Sequence, residues 1–186
     1  MAGGSVRQRK LAIVIAGAIA SGKSTLAVAV ASGLEEEGLH AGTIDLDLVY
    51  ETLAPGAQKD DPDIWTRART VAAGLANEMF DDGFDVVVAE GDFLQERERQ
   101  ELADELRSSV RILYVTLMVA LDRALERVVN DPTRGRSKDP VFLARHYDEL
   151  AESLRTRPES DLCLDTGELT VDEAAAAVVR WSRADG

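Results

Sequence analysis

Short apolar runs alternate along the chain with longer segments of mixed polarity. The runs occupy residues 11–16, 43–46, 85–89, 111–117 and 161–164. Several of them, such as IVIA, VVVA and LYVTL, are continuously apolar, which is typical of strands that are covered on both faces. Strands that alternate with helices favour a parallel sheet with helices packed against it. The pattern therefore predicts an α/β fold with five strands.

Helix-starting signals lie between the apolar runs. Asp-Pro pairs at 61–62 and 139–140 place a capping carboxylate before a proline in the first helical position. Thr170 stands three residues before Glu173, which is the spacing of a capping box. Helical segments are predicted at 25–37, 62–82 and 93–108. We interpret residues 11–186 as one domain and residues 1–10 as a flexible lead.

Composition excludes several classes of protein. The 186 residues include 21 Lys and Arg against 34 Asp and Glu, so the net charge is −13. So acidic a surface repels phosphate backbones, which argues against nucleic acid as a partner. The single cysteine, Cys163, allows no intrachain disulfide and suits a reducing cytoplasm; we expect it to be a small core residue. The apolar run at 11–20 is too short to span a bilayer, so no membrane partner is predicted.

The most specific motif is a glycine-rich loop directly after the first strand. Residues 17–24, GAIASGKS, fit the pattern G-x-x-x-x-G-K-[ST]. Glycines let backbone N–H groups surround phosphate oxygens, and the following helix adds positive potential at its start. Lys23 would reach the β- and γ-phosphates of a nucleotide, and the Ser24 hydroxyl would face Mg²⁺. We predict a nucleotide-binding set at this loop: Gly17, Ala20, Ser21, Gly22, Lys23, Ser24 and Thr25. The alternative is a glycine-rich turn with an exposed lysine.

Two acidic pairs follow the second and third strands. Asp45 and Asp47 are two residues apart, as are Glu90 and Asp92, so each pair is predicted to face one side of its strand. Ligands bind at the carboxyl ends of strands in open α/β sheets. One carboxylate would hold Mg²⁺ and another would take a proton from an acceptor hydroxyl. The alternative is that these residues only cap helices, with Asp47 before Leu48 and Asp92 before the next helix.

A basic segment interrupts the acidic chain. Six cations and three acids between residues 123 and 145 give +3, which leaves −16 for the rest. The turn residues at 130–137 predict a loop, and arginines on a closing loop can stabilise a transferring phosphoryl group. We assign that role to Arg134 and Arg136, and a nucleotide contact to Arg127. The alternative is a solvated loop with ion pairs along a helix surface.

Taken in order, the phosphate loop, the Asp-x-Asp motif and the arginine loop resemble the small P-loop kinases. The layout is similar to shikimate kinase, gluconate kinase, adenylylsulfate kinase and chloramphenicol phosphotransferase, over roughly residues 11 to 183. The resemblance implies a three-layer fold, a parallel sheet in the order 2-3-1-4-5 and a small lid at about 131–138. It also implies roles for single residues: Asp45 beside Mg²⁺, Asp47 as the base, Arg127 on the adenine, and Thr166 with Gly167 on its other face.

The chain departs from these kinases where they recognise their acceptors. Glu90-Gly91-Asp92 replaces the glycine triplet of shikimate kinases, and no arginine lies between Asp47 and Pro55 to bind a carboxylate. The resemblance therefore does not identify the acceptor molecule of this chain.

The function we predict is transfer of the γ-phosphate of ATP, with Mg²⁺, to a hydroxyl of a small molecule. The catalytic residues would be Lys23, Asp47, Arg134 and Arg136, and the carboxylates of Asp45 and Glu90 would join Ser24 at the metal. Acceptor contacts are expected from a set that includes Asp47, Tyr50, Glu90 and Asp92, in a region that also contains Trp65, Arg67 and Arg69. The alternatives are a nucleoside or nucleotide kinase and a nucleotide-binding regulatory module without transfer. The protein is expected to be a monomer or a homodimer.

Overall fold

A parallel sheet forms the centre of the molecule. The computed structural model describes residues 9–57, 59–130, 138–156, 158 and 161–184. The strands are β1 (Leu11–Gly17), β2 (Ala41–Asp45), β3 (Val86–Glu90), β4 (Arg111–Met118) and β5 (Leu162–Asp165). They form one sheet in the order β2-β3-β1-β4-β5, and every pairing is parallel. The predicted strand order is confirmed.

Seven helices connect and cover these strands in the part of the chain that the structure describes. They are α1 (Lys23–Glu36), α2 (Leu46–Leu53), α3 (Pro62–Asp81), α4 (Glu96–Glu105), α5 (Leu121–Asn130), α6 (Pro140–Thr156) and α7 (Val171–Ala184). No helix among the described residues is long and apolar enough to cross a membrane. Residues 1–8 of the predicted lead at 1–10, and residues 131–137 of the predicted lid at about 131–138, with Arg134 and Arg136, lie outside the described residues.

Alternate residues of β1 pack into two separate cores. Ala12, Val14 and Ala16 face one core together with side chains of α2, α3, α4 and α6. Ile13 and Ile15 face the other core, which is closed by α1 and α7. Because neighbouring strand residues point to opposite faces, one buried strand supplies both cores. This arrangement confirms the predicted helix–sheet–helix layers.

The first residues of two helices differ from the sequence prediction. β2 ends at Asp45 and α2 begins at Leu46, so the expectation that Asp45 and Asp47 share one side of a strand is wrong. The side chain of Asp45 accepts the N–H groups of Asp47 (2.8 Å) and Leu48 (3.2 Å), which starts the helix there. After β3, Phe93 and Leu94 are buried in a loop, and α4 starts only at Glu96 behind a capping box.

Cys163 also differs from expectation, because it is exposed. β5 lies at the edge of the sheet, and of its four residues only Leu164 is buried. An edge strand covered on one face leaves alternate side chains in water. The prediction that this cysteine belongs to the core is therefore wrong.

A small third core joins the glycine-rich loop to the helices around it. Its buried members are Ala20, Val119, Ala124, Val128 and Leu143, with Ile19, Leu125 and Tyr147 packed against them. Leu143 and Tyr147 belong to α6, and the Tyr147 hydroxyl donates to the carbonyl of Ile19 at 3.4 Å. The loop after β1 is thus supported from the side by α5 and α6.

Candidate active site

The glycine-rich loop takes a shape that its sequence specifies residue by residue. A side chain at Gly17 would bring its Cβ to 2.7 Å from the Leu117 carbonyl oxygen and 2.8 Å from Ser21 Oγ, so only glycine fits beside β4. Gly22, the residue before α1, has a left-handed backbone with φ of 94°. Ala20 is also left-handed, with φ of 63°, a conformation that costs a non-glycine residue about 1–2 kcal/mol. Strain of this kind is typical of ligand-binding loops.

Positive potential gathers where this loop meets α1. The helix begins without a capping side chain, and its first turn contains no acidic residue. The Lys23 ammonium folds back over the loop and donates to the carbonyls of Gly17 (3.1 Å) and Ala18 (3.4 Å). Uncapped N–H groups at a helix start, together with a lysine, are suited to bind a phosphate. The Ser24 and Thr25 side chains are exposed next to them.

Glu90 is a buried carboxylate beside this loop. It ends β3, where it is paired in register with Asp45 of β2 and with Ile15 of β1. Only 2% of Glu90 is exposed, and neither carboxylate oxygen accepts a hydrogen bond of normal geometry. Burial raises its pKa to about 7; the nearby Ser24 hydroxyl and Lys23 oppose that rise, while Asp45 and Asp47 add to it. A buried acceptor without a donor is rare and indicates a missing partner.

Asp45 and Asp47 occupy different positions around Glu90. One oxygen of Asp45 is used as the cap of α2. The Asp47 carboxylate lies in the first turn of α2, about half exposed, and accepts a hydrogen bond from the Lys59 ammonium at 2.6 Å. Lys59 also donates to the main-chain carbonyl of Asp47 at 3.2 Å. Of the three, Glu90 is thus the unpartnered carboxylate, and Asp47 has a side chain that is about half exposed to solvent.

The donors present fit a hard divalent cation. Mg²⁺ prefers oxygen ligands and usually binds through one or two carboxylates together with substrate phosphates and water. Ser24 and Glu90 offer a hydroxyl and two orphaned carboxylate oxygens. Across the described ranges, no group of three His, Cys, Asp or Glu side chains could hold a metal ion by itself. A magnesium ion here would therefore bind together with the phosphates of a nucleotide.

A cleft of about 440 Å³ opens on the other side of the loop. Its wall includes Ser21, Thr25, Arg127 and Thr166. Arg127 of α5 donates to the carbonyls of Ala20 (3.0 Å) and Thr166 (2.8 Å). The Thr166 hydroxyl donates to the Ser21 carbonyl at 2.8 Å, so the loops after β1 and β5 are joined directly.

The cleft contains most of the residues predicted to hold the base of a nucleotide. Within the described ranges Arg127 forms no ion pair along the helix surface, and its guanidinium instead donates to these two loops. Gly167 follows Thr166 in the same turn, where its N–H donates to the Asp165 carboxylate at 2.8 Å.

Beyond β3, α2 and α3 form the side of the site predicted to hold an acceptor. Tyr50 is fully buried beneath Trp65, with ring centroids 4.5 Å apart, so its ring has no surface for a bound molecule to contact. Arg67 is exposed on the outer side of α3. Arg69 is only 4% exposed and donates twice to the main-chain carbonyl of Asp92 (3.1 and 3.3 Å). Asp92 does not cap α4, which Gln95 does instead.

His146 is a residue of this region that the sequence prediction missed. It lies on α6 with its side chain 15% exposed, 3.6 Å from Glu149. Burial lowers its pKa below the ordinary value, Lys23 lowers it further, and Asp92 and Glu149 oppose the change. The pKa of His146 is thus influenced by Lys23 of the phosphate loop and by Asp92 of the loop after β3. The signal that could have found it is its spacing, three residues after Leu143 and four before Leu150, on the apolar face of the helix.

Comparisons with known proteins agree with this arrangement. The family model described as an AAA domain matches residues 13–151. The fold is similar to the Mycobacterium tuberculosis APS kinase CysC in complex with AMPPNP and APS (TM-score 0.66, 18% identity, 94% of this chain and 98% of that chain). It is also similar to a gluconokinase from Sinorhizobium meliloti 1021 (TM-score 0.61, 18% identity, 96% and 92%).

A third solved structure with this fold is the shikimate kinase from Bacteroides thetaiotaomicron (TM-score 0.64, 14% identity, 91% of this chain and 97% of that chain). No curated protein sequence matches the chain. At these identities the likeness establishes the fold, and the predicted three-layer P-loop architecture is confirmed.

Proposed function

Since the chain belongs to the AAA domain family and has the fold of the small P-loop kinases, we propose that it is an ATP-dependent phosphotransferase acting on the hydroxyl of a small molecule. The observation that carries this proposal is Glu90, a buried and unpartnered carboxylate next to Ser24 and Lys23. Burying a carboxylate without a partner costs stability, so a turn with only a structural role would not need Glu90 beside it.

The triphosphate would lie on residues 17–25. Lys23 would leave the carbonyls of Gly17 and Ala18 and donate to the β- and γ-phosphates, and the uncapped N–H groups of α1 would add to the binding. The nucleoside would occupy the cleft beside Arg127 and Thr166. Arg134 and Arg136 are proposed to stabilise the charge on the transferring group, as their sequence position suggests.

Ser24 and Glu90 would hold Mg²⁺, with Asp45 contributing through water because one of its oxygens caps α2. When bound, the ion would supply positive charge that stabilises the negative charge of the transferring phosphoryl group. Glu90 would then have the partner that it lacks in this structure.

Asp47 is proposed as the base. The acceptor oxygen bonds to the γ-phosphorus, the bond from phosphorus to the β–γ bridging oxygen breaks, and ADP leaves. The hydroxyl proton passes to the Asp47 carboxylate. Lys59 holds that carboxylate at 2.6 Å and would orient it toward the acceptor.

Calorimetry with ATP in magnesium buffer tests whether the protein binds the nucleotide, on which the whole proposal depends. The native protein is expected to bind ATP, and Lys23→Ala to bind it at least about tenfold more weakly, because charge-assisted hydrogen bonds to phosphate are lost. Arg180→Ala is the matched control, since it removes one positive charge from an exposed position on α7. Native protein that takes up no purine triphosphate would contradict the proposal.

An acceptor screen distinguishes the proposed activity from the two alternatives. Release of ADP that depends on a non-nucleotide alcohol supports it. Formation of two diphosphates from ATP and a nucleoside monophosphate would indicate a nucleotide kinase instead. Tight ATP binding without transfer to any hydroxyl would indicate a regulatory module.

A further inference from the structure

A second cavity, of about 330 Å³, lies beside the first half of β4. β4 begins at Arg111, but its pairing with β5 begins only at Val115, so one edge of its first four residues has no neighbouring strand within the described ranges. Ile112 packs on one core and Leu113 on the other, and both line the cavity, which therefore lies at the edge of the sheet. The proposed phosphotransfer site is at the carboxyl ends of the strands, so this edge cavity is not part of it.

A buried guanidinium forms part of the wall of the edge cavity. Arg99 of α4 is only 5% exposed. Its Nε donates to the Phe93 carbonyl at 3.1 Å and its Nη1 to the Asp161 carboxylate at 2.6 Å, while its guanidinium carbon lies 4.6 Å from the centre of the Tyr114 ring. Asp161 and Tyr114 also line the cavity, so the guanidinium end of the Arg99 side chain lies there with them.

One nitrogen of this guanidinium has no acceptor. Nη2 of Arg99 is buried and has no hydrogen-bond partner among the described residues. Arg69 is also buried, but its nitrogens are engaged by the Asp92 carbonyl, by Glu101 at 2.8 Å and by Glu98 at 3.3 Å. A buried donor without an acceptor costs about 1–3 kcal/mol and indicates a missing partner. Since Nε and Nη1 are both bonded, Nη2 is already held in place for one.

The charges and rings of the wall indicate the class of that partner. Asp161 compensates the charge of Arg99, and Glu96 adds a further negative charge to the cavity, so an anion gains no net attraction. A cation has only donors, so it cannot accept from Nη2. The rings of Tyr114 and Trp181 offer apolar surface to the remainder of a ligand.

We propose that the edge cavity is a second ligand site, independent of phosphotransfer, for a small neutral molecule that carries a carbonyl oxygen on a planar apolar ring. The carbonyl oxygen accepts the hydrogen bond from Nη2 of Arg99, and the ring packs against Tyr114 and Trp181. The volume of the cavity lies at the lower end of the range of small-molecule sites. Binding requires neither ATP nor Mg²⁺.

Three probes with the same ring and different charges test the class of ligand: benzamide is neutral, benzoate is an anion and benzylamine is a cation at pH 7. Each is titrated at millimolar concentrations into the native protein, and NMR follows the indole N–H signals of the two tryptophans. Trp181 lines the cavity, whereas Trp65 packs on Tyr50 elsewhere, and Trp181→Phe assigns the two signals.

Benzamide is expected to shift the Trp181 signal until it saturates and to leave the Trp65 signal unchanged. Benzylamine should bind at least about tenfold more weakly, because the hydrogen bond from the charged guanidinium is lost. Benzoate should also bind more weakly, because the carboxylates of Glu96 and Asp161 repel it.

Variants assign the binding to this cavity. Gln100 lines it from an exposed position on α4, so Gln100→Trp should fill part of the space and weaken benzamide binding at least about tenfold, with a native melting temperature. Glu36→Trp adds the same ring at an exposed position on α1 and is the matched control. Arg99→Lys keeps a charge beside Asp161 but lacks Nη2, so its affinity for benzamide should fall to that for benzylamine. Gln100→Trp keeps the test decisive if Arg99→Lys does not fold.

Several outcomes contradict the proposal. Tighter binding of benzoate or benzylamine than of benzamide overturns the neutral ligand. Native benzamide affinity in Gln100→Trp, or equal shifts of both indole signals, overturns the location. No shift of the Trp181 signal with any probe overturns the site altogether. None of these results bears on ATP binding, so the proposed phosphotransfer is tested separately.

Discussion

Replacing Glu90 with glutamine should change how stability depends on pH. The folded protein raises the pKa of Glu90 from 4.5 to about 7, mainly because the carboxylate is buried. Each pKa unit corresponds to 1.36 kcal/mol, so the ionised form destabilises the folded state by about 3 kcal/mol. This value applies to protein without metal or nucleotide, in which Glu90 has no partner.

The sign follows from the direction of the shift. A carboxyl whose pKa is higher in the folded than in the unfolded state stabilises the fold fully below about pH 4.5, and this contribution is lost as the pH rises through about 7. Glu90→Gln does not ionise, so it does not lose stability in this window. Between about pH 5 and about pH 8 the variant should gain about 2.5 kcal/mol relative to the native protein.

Urea unfolding at several pH values, with EDTA present, measures this difference. The amide of glutamine is itself a buried polar group, so the change of the difference with pH, and not its absolute size, reports the ionisation. Glu36→Gln makes the same chemical change at an exposed position on α1 and should follow the native curve. Native and Glu90→Gln curves that run parallel from pH 5 to 8, or a native protein that gains on the variant, would refute the reasoning.

Three further predictions concern the proposed base, the cleft beside Arg127 and the core. Asp47→Asn should lower kcat by about 10²- to 10⁴-fold with little change in ATP affinity, measured by calorimetry and steady-state kinetics; equal turnover would remove its role as base. Arg127→Ala breaks the bonds to Ala20 and Thr166 and should weaken ATP binding about tenfold, whereas native affinity would place the nucleotide elsewhere. Asp161→Ala leaves the buried Arg99 without its 2.6 Å partner and should lower the free energy of unfolding by about 3–5 kcal/mol in urea; a loss below 1 kcal/mol would contradict it.

The pattern of apolar residues was sufficient to predict the positions of the five strands. The five strands lie within a few residues of their apolar runs, because a strand buried on both faces must be apolar throughout. The strand order came from the resemblance and not from the pattern, since periodicity contains no information about which strands are neighbours. The capping box at Thr170 and Glu173 is formed as predicted, because it depends on residues three apart.

The acceptor side was harder to predict because distant contacts decide it. β2 ends at Asp45, one residue before the end of its apolar run, since the Asp45 side chain accepts two N–H groups and starts α2. Burial of Tyr50 depends on α2 packing against α3, and the compensation of Arg69 depends on α3 packing against α4; sequence spacing reveals neither contact. His146 has charged residues close to it in the sequence, yet its side chain is only 15% exposed because its position on α6 lies on the buried face.

The hydrogen bond from Thr166 to the carbonyl of Ser21 spans 145 positions of the chain. Ser21 is therefore synthesised early and Thr166 late. A nascent polypeptide that stops before β5 lacks this hydrogen bond to its glycine-rich loop. The support that Thr166 gives to the loop after β1 can therefore form only when the last strand has docked.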